Sequence, residues 1–81
     1  MRTVIDSDTL LARSAVDVLL ECYVRWREEC HAVWLTYQTW ADAGRGECRL
    51  AYAGYMAALD REERAASEFA DQIEWVRRIC K

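Results

Sequence analysis

The residues of this chain whose types and spacing could hold a metal are Glu28-Glu29-Cys30-His31, which contain a Glu-x-x-His pair. Di-iron carboxylate bundles turn this i, i+3 pair into their cores. Glu62, in the second half of the chain, would supply a third ligand if a helical assembly brought it close. Geometry speaks against that use. If Trp26 and Cys30 face a neighbouring helix, Glu28 and His31 point outward, and His31 is the only histidine. Four cysteines are spaced Cys22-x7-Cys30-x17-Cys48-x31-Cys80, with no C-x-x-C pair to gather sulfurs around one metal or into a redox site. They are expected to be reduced thiols behaving as small apolar residues. Cys30 and His31 are adjacent, so on a helix they point about 100° apart and form no thiol–imidazole couple. A Gly-rich phosphate loop and a Ser/His/Asp set are both absent. The chain is therefore expected to be non-enzymatic, with no metal and no cofactor.

Whatever these side chains do, helices must position them. There is no proline among the 81 residues, and glycine occurs only at 44, 46 and 54. Helix breakers thus gather in Ala43-Gly44-Arg45-Gly46, near mid-chain. Asp6, Ser7 and Asp8 suit a helix N-terminus, and Arg77, Arg78 and Lys81 suit a C-terminus. Apolar residues recur at alternating three- and four-residue steps: Val16, Leu19, Tyr23, Trp26, Cys30, Val33, Tyr37 and Trp40. The second half repeats the pattern with Cys48, Tyr52, Tyr55, Leu59, Glu62, Ala66, Phe69, Ile73, Val76 and Cys80, broken only by Glu62. A 3.5-residue repeat of this length marks coiled-coil-like helices packed side by side.

The predicted fold is all-α: a single domain, residues 1–81, made of two long antiparallel helices. Helix one covers about 8–42, the turn about 43–46, and helix two about 47–79. This register sets Tyr37 near Tyr52, Val33 near Tyr55, Leu19 near Phe69 and Val16 near Ile73. Three forward charge pairs, Glu21–Arg25, Asp60–Arg64 and Glu74–Arg78, should support the helices. Asp60-Arg61-Glu62-Glu63 also has the form of a capping box, an alternative in which helix two breaks near residue 60.

The seam leaves many large apolar residues over. Leu11, Val18, Leu20, Trp34, Leu35, Leu50, Met56 and Trp75 fall off it and should be wet in a lone hairpin. Ala51, Ala58 and Ala65 recur every seven residues beside the seam, close to Gly54, as though another backbone approaches there. The expected partner interface is Leu20, Trp34, Ala51, Gly54, Met56, Ala58, Ala65 and Trp75. Glu62 is the expected register or specificity residue. Dimerisation of two hairpins into a four-helix bundle would satisfy these features, and another helical protein would do equally well.

Composition narrows the partners further. Acidic residues outnumber basic ones, 14 to 11, and the two are interleaved, for a net charge of −3. That pattern belongs to solvated helix faces and not to a nucleic-acid-binding stripe. No segment has the length and apolarity of a membrane span. The first residues lack the apolar core of a signal peptide, so a cytoplasmic location is expected.

Trp40-Ala-Asp-Ala-Gly44 sits at the central turn between helices of equal size. In this, and in its length, the chain resembles the WXG100 proteins, small helical hairpins of type VII secretion. That resemblance implies a secretion partner or substrate. The spacing here is Trp-x-x-x-Gly where the family has Trp-x-Gly, and no Tyr-x-x-x-Asp/Glu signal follows Gln72. Three readings of function emerge: an interaction module serving as adaptor, assembly factor or inhibitor; a WXG100-like secretion partner; or a metal-binding bundle using Glu28, His31 and Glu62.

Overall fold

The computed structural model describes residues 7–79, and it is a helical hairpin. Helix α1 spans Ser7–Ala41 and α2 spans Cys48–Ile79, each within a residue or so of the expected bounds. α2 runs unbroken through Asp60-Arg61-Glu62-Glu63, so the capping-box alternative is not used. Neither helix interior contains proline, and Arg77 and Arg78 occupy the last turn of α2, where the dipole favours cations. The cap expected from Asp6, Ser7 and Asp8, and the position of Cys80 and Lys81, lie outside the described side chains.

The turn is closed by backbone hydrogen bonds. The Asp42 N–H donates to the Gln38 carbonyl at 3.0 Å and the Ala43 N–H to the Trp40 carbonyl at 3.2 Å, tightening the end of α1. The Glu47 N–H then donates to the Gly44 carbonyl at 3.0 Å. Neither Gly44 nor Gly46 takes a positive φ. Glycine acts here through its poor helix propensity, not through a left-handed cap.

The seam differs from the expected one by a single residue on each helix. Leu19, Trp26, Val33 and Trp40 face inward on α1, as expected. Their companions are Ala15, Cys22, Glu29 and Thr36, in place of Val16, Tyr23, Cys30 and Tyr37. On α2, Tyr55, Glu62, Phe69 and Val76 are joined by Ala51, Ala58, Ala65 and Gln72, in place of Tyr52, Leu59, Ala66 and Ile73. The fully buried residues among those described are all alanines: Ala15, Ala58 and Ala65. Ala58 and Ala65, expected to meet a partner, instead lie inside the hairpin. The cause is size. The sequence offers three neighbouring apolar rows per helix, and helix axes approach closest when the smallest row faces inward.

Rings then lie across one edge of the seam. Phe69 packs on Tyr23 (5.6 Å between centroids) and stacks on Trp26 (5.7 Å). Tyr37 packs on Tyr55 and Trp40 on both Tyr52 and Tyr55, at 5.2–5.7 Å. The ring contacts are thus Tyr37 with Tyr55 and Trp40 with Tyr52 where Tyr37 with Tyr52 is expected, while Trp26–Glu62 and Ala15–Gln72 lie within a residue or so of the expected register. Of the expected intrahelical charge pairs, Glu74–Arg78 forms at 3.3 Å. Arg25 reaches across to Glu68 instead of back to Glu21.

Two helices make one layer with nothing above or below. The radius of gyration is 19.1 Å, against about 12 Å for a compact chain of this length. Because Ala58 has no exposed surface, Ala58→Leu should force the helices apart and cost about 1–3 kcal/mol. Ala53→Leu, on the exposed face of the same helix, should cost far less. Thermal unfolding followed by circular dichroism distinguishes the two, and equal losses would contradict this seam.

Candidate functional site: an apolar flank

An antiparallel pair has two flanks, and here they differ in chemistry. On one, Arg25 pairs with Glu68, and Arg61 Nε donates to Glu29 Oε2 at 3.2 Å. These half-exposed pairs contribute little to stability individually. They do show which side of the seam is polar. The other flank carries the rows displaced from the seam, Val16, Tyr23, Cys30 and Tyr37 on α1 and Tyr52, Leu59, Ala66 and Ile73 on α2. Beyond them, one step further out, stand Leu20 and Trp34 on α1 and Met56 on α2. Half of the exposed large apolar side chains among the described residues lie on this flank: Val16, Leu20, Tyr23, Trp34, Tyr37, Tyr52 and Met56. Trp34 is 55% exposed and Tyr37 48%.

The expected interface residues separate accordingly. Leu20, Trp34 and Met56 share the apolar flank. Ala51, Ala58 and Ala65 line the seam inside the hairpin. Gly54 and Trp75 are exposed on the polar side. All eight large apolar residues expected to be wet are exposed. Of the eight residues in these rows, Val16, Tyr23, Tyr37 and Tyr52 are exposed although the periodicity sets them in the seam, while Cys30, Leu59, Ala66 and Ile73 are half-buried at its margin. Their clustering on one side becomes visible only once the alanine row is chosen as the inner one.

Glu62 sits in the seam, half-buried, and accepts a hydrogen bond from Trp26 Nε1–H at 3.0 Å. The bond ties the two helices at mid-length and gives both groups a partner beneath the aromatic cluster. Gln72 does the same nearer the open end, its Nε2 donating to the Ala15 carbonyl at 3.0 Å. In the seam of α1, the Thr36 hydroxyl is satisfied by its own helix, donating to the Ala32 carbonyl at 2.8 Å.

The metal set is not assembled within one chain. Glu28 and His31 are exposed on α1, with His31 stacked on Trp34, while Glu62 is turned into the seam. Among the described residues no three His, Cys, Asp or Glu side chains converge. Cys22, Cys30 and Cys48 are free thiols, and Cys80 lies outside the described residues. Surface depressions on α1, such as that between Tyr23, Val24, Arg27, Glu28 and His31, are furrows along a helix rather than enclosed cavities. No described helix is long and apolar enough to cross a membrane. No protein-family model matches the chain, nor does any curated protein or solved structure.

Two predictions follow from the seam and its surroundings. Glu62→Ala leaves the Trp26 N–H without its acceptor and should cost about 1–2 kcal/mol. In a double-mutant cycle with Trp26→Phe the coupling should be near 1 kcal/mol, and a coupling of zero in thermal or urea unfolding would remove this contact from the fold. Gly54 has open space where a side chain would project. Gly54→Ala should therefore stabilise the isolated hairpin by up to about 1 kcal/mol, as an exposed mid-helix glycine predicts. A loss of stability would show that something packs on Gly54.

Proposed function

We propose that this chain is a non-enzymatic interaction module whose apolar flank docks against helices of another chain to complete a four-helix bundle. The carrying observation is the unequal division of the two flanks: the cross-helix ion pairs lie on one, while seven of the fourteen exposed large apolar side chains among the described residues gather on the other, interrupted by Arg27 and Glu63. A helix pair that needed only to be wetted would not gather Leu20, Tyr23, Trp34, Tyr37, Tyr52 and Met56 on one side. Exposed contiguous apolar surface of this kind is characteristic of interfaces, and its Trp, Tyr and Met content matches that of interface centres. Adaptor, assembly-factor and inhibitor roles all use such a surface.

Surface area supports the same reading. The chain exposes 6682 Å², whereas a folded monomer of 9.5 kDa typically exposes about 5,000 Å². The excess is about 1,600 Å². A partner's share of a standard interface is about 800 Å², and obligate assemblies bury more. The metal-bundle reading draws no support, because Glu28 and His31 face away from Glu62. Beyond the two-helix outline, nothing in the structure favours the secretion-partner reading.

The test is the solution mass of the reduced protein by light scattering over a concentration range. Trp34→Glu and Met56→Glu should abolish any association while leaving helix content unchanged. Leu50→Glu, at a site that is 79% exposed and off the flank, should have no effect. A chain that stays monomeric should bind an apolar dye through the vacant flank and lose that binding in Trp34→Glu. Association or dye binding indifferent to both flank substitutions would overturn the proposal.

A further inference from the structure

We infer that the occupant of the apolar flank is a second copy of this chain, packed face to face with both turns at the same end. The inference rests on the interaction-module reading above and adds the partner, the symmetry and the pairing.

The charges at the margins of the flank carry it. Arg27 on α1 and Glu63 on α2 occupy equivalent outer positions of the flank, in the same rows as Leu20 and Trp34 on one side and Met56 and Ala70 on the other. In an antiparallel pair the Glu29–Arg61 contact sets residue 27 level with residue 63 and the Trp26–Glu62 contact sets it level with residue 61, so Arg27 and Glu63 lie within about 3 Å of the same height. Both are exposed, and neither belongs to an ion pair among the described residues. The hairpin thus has a positive edge and a negative edge at the same level, flanking an apolar surface.

Two copies can meet through this surface with full overlap in two ways. A two-fold axis running along the helices lays α1 of one chain over α2 of the other at equal height. Arg27 then faces the partner's Glu63, and Glu63 the partner's Arg27. Further toward the turn, Trp34 faces the partner's Met56, a sulfur–aromatic pairing. Toward the open end, Leu20 faces the partner's Ala70, a large residue against a small one. A two-fold axis across the helices instead lays α1 over α1, setting Arg27 on the partner's Arg27 and Glu63 on the partner's Glu63. Like charges in such juxtaposition discriminate against an arrangement. The first arrangement has one kind of like-charge meeting, made twice by symmetry: Arg13 with the partner's Arg77 and Arg77 with the partner's Arg13, at the open end where both are exposed. The excess surface of each chain is ample for a stable dimer of this kind.

Charge exchange tests it. Dimer dissociation is measured by sedimentation equilibrium at low salt, with helix content followed by circular dichroism. Arg27→Glu and Glu63→Arg should each weaken the dimer at least about tenfold, and the double variant should return it to within about threefold of the starting value. If either reversal disturbs the fold, Arg27→Gln and Glu63→Gln should each give a smaller loss in the same direction. A dimer unmoved by all of these overturns the head-to-head pairing. A wild-type chain that remains monomeric to about 100 μM overturns self-association, yet leaves the flank available to a different helical protein. A dimer indifferent to Trp34→Glu as well overturns the flank itself, so the two readings fail separately.

Discussion

The close approach of two helix backbones over Ala15, Ala58 and Ala65 is the constraint on which the rest of this structure depends. A seam in which an alanine row alternates with a row of larger residues lets α1 and α2 come together over the alanines, which favours dispersion contact and a fixed register. It also means that the seam cannot hide the large residues. Aromatic rings next to a narrow seam have nowhere to go but its edge, and there they stack on one another, Trp26 on Phe69 and Trp40 on Tyr55. The small residues inside and the exposed rings outside are therefore one fact seen from two sides. The same choice of seam drives the charged residues Arg25, Glu68 and Arg61 to the opposite edge, where they pair across the helices.

Helices, turn and antiparallel order were legible in the sequence because they depend on local signals. These are the absence of proline, the confinement of breakers to Gly44 and Gly46, and a long 3.5-residue repeat. The inner row was not legible, for a physical reason. Three adjacent rows on α1 contain apolar or small residues, and periodicity weights a tyrosine at 23 more heavily than a cysteine at 22 or an alanine at 15. Packing weights them the other way, since two opposed bulky rows would hold the axes apart. The seven-residue spacing of Ala51, Ala58 and Ala65 was the available signal, and its correct use was as the seam itself. Similarly, the i, i+4 rule placed Arg25 with Glu21, but a long guanidinium at the margin of a helix pair also has acceptors on the facing helix. The exposure of Leu20, Trp34 and Met56 was legible because they lie outside the seam under either choice of inner row.

A single layer of two helices has a thermodynamic consequence. Stability in small domains comes from burying apolar area against conformational entropy of similar size, and a layer covered on neither face buries little. Small chains with little core are often stabilised by disulfides, metals or oligomerisation. Among the described residues the cysteines are free and no ligand cluster is present. Covering the aromatic flank is the remaining route to a larger core, so folding and association are expected to be linked rather than successive events.

Glu62 shows how such an assembly would be kept specific. A flank composed only of tyrosine, tryptophan and leucine could slide against any apolar surface, because apolar contact has little direction. A carboxylate in the seam under that flank changes the balance. While the flank is open, the half-buried Glu62 side chain keeps access to solvent beside its hydrogen bond from the Trp26 indole N–H. A covering chain would remove that access, and a buried carboxyl group left with one donor is costly. Only a partner that offers a second donor at the level of Glu62, or keeps a water there, avoids the penalty. Under the proposed docking, the residue that interrupts the apolar repeat in the sequence would discriminate, through its desolvation cost, between chains that could cover the flank.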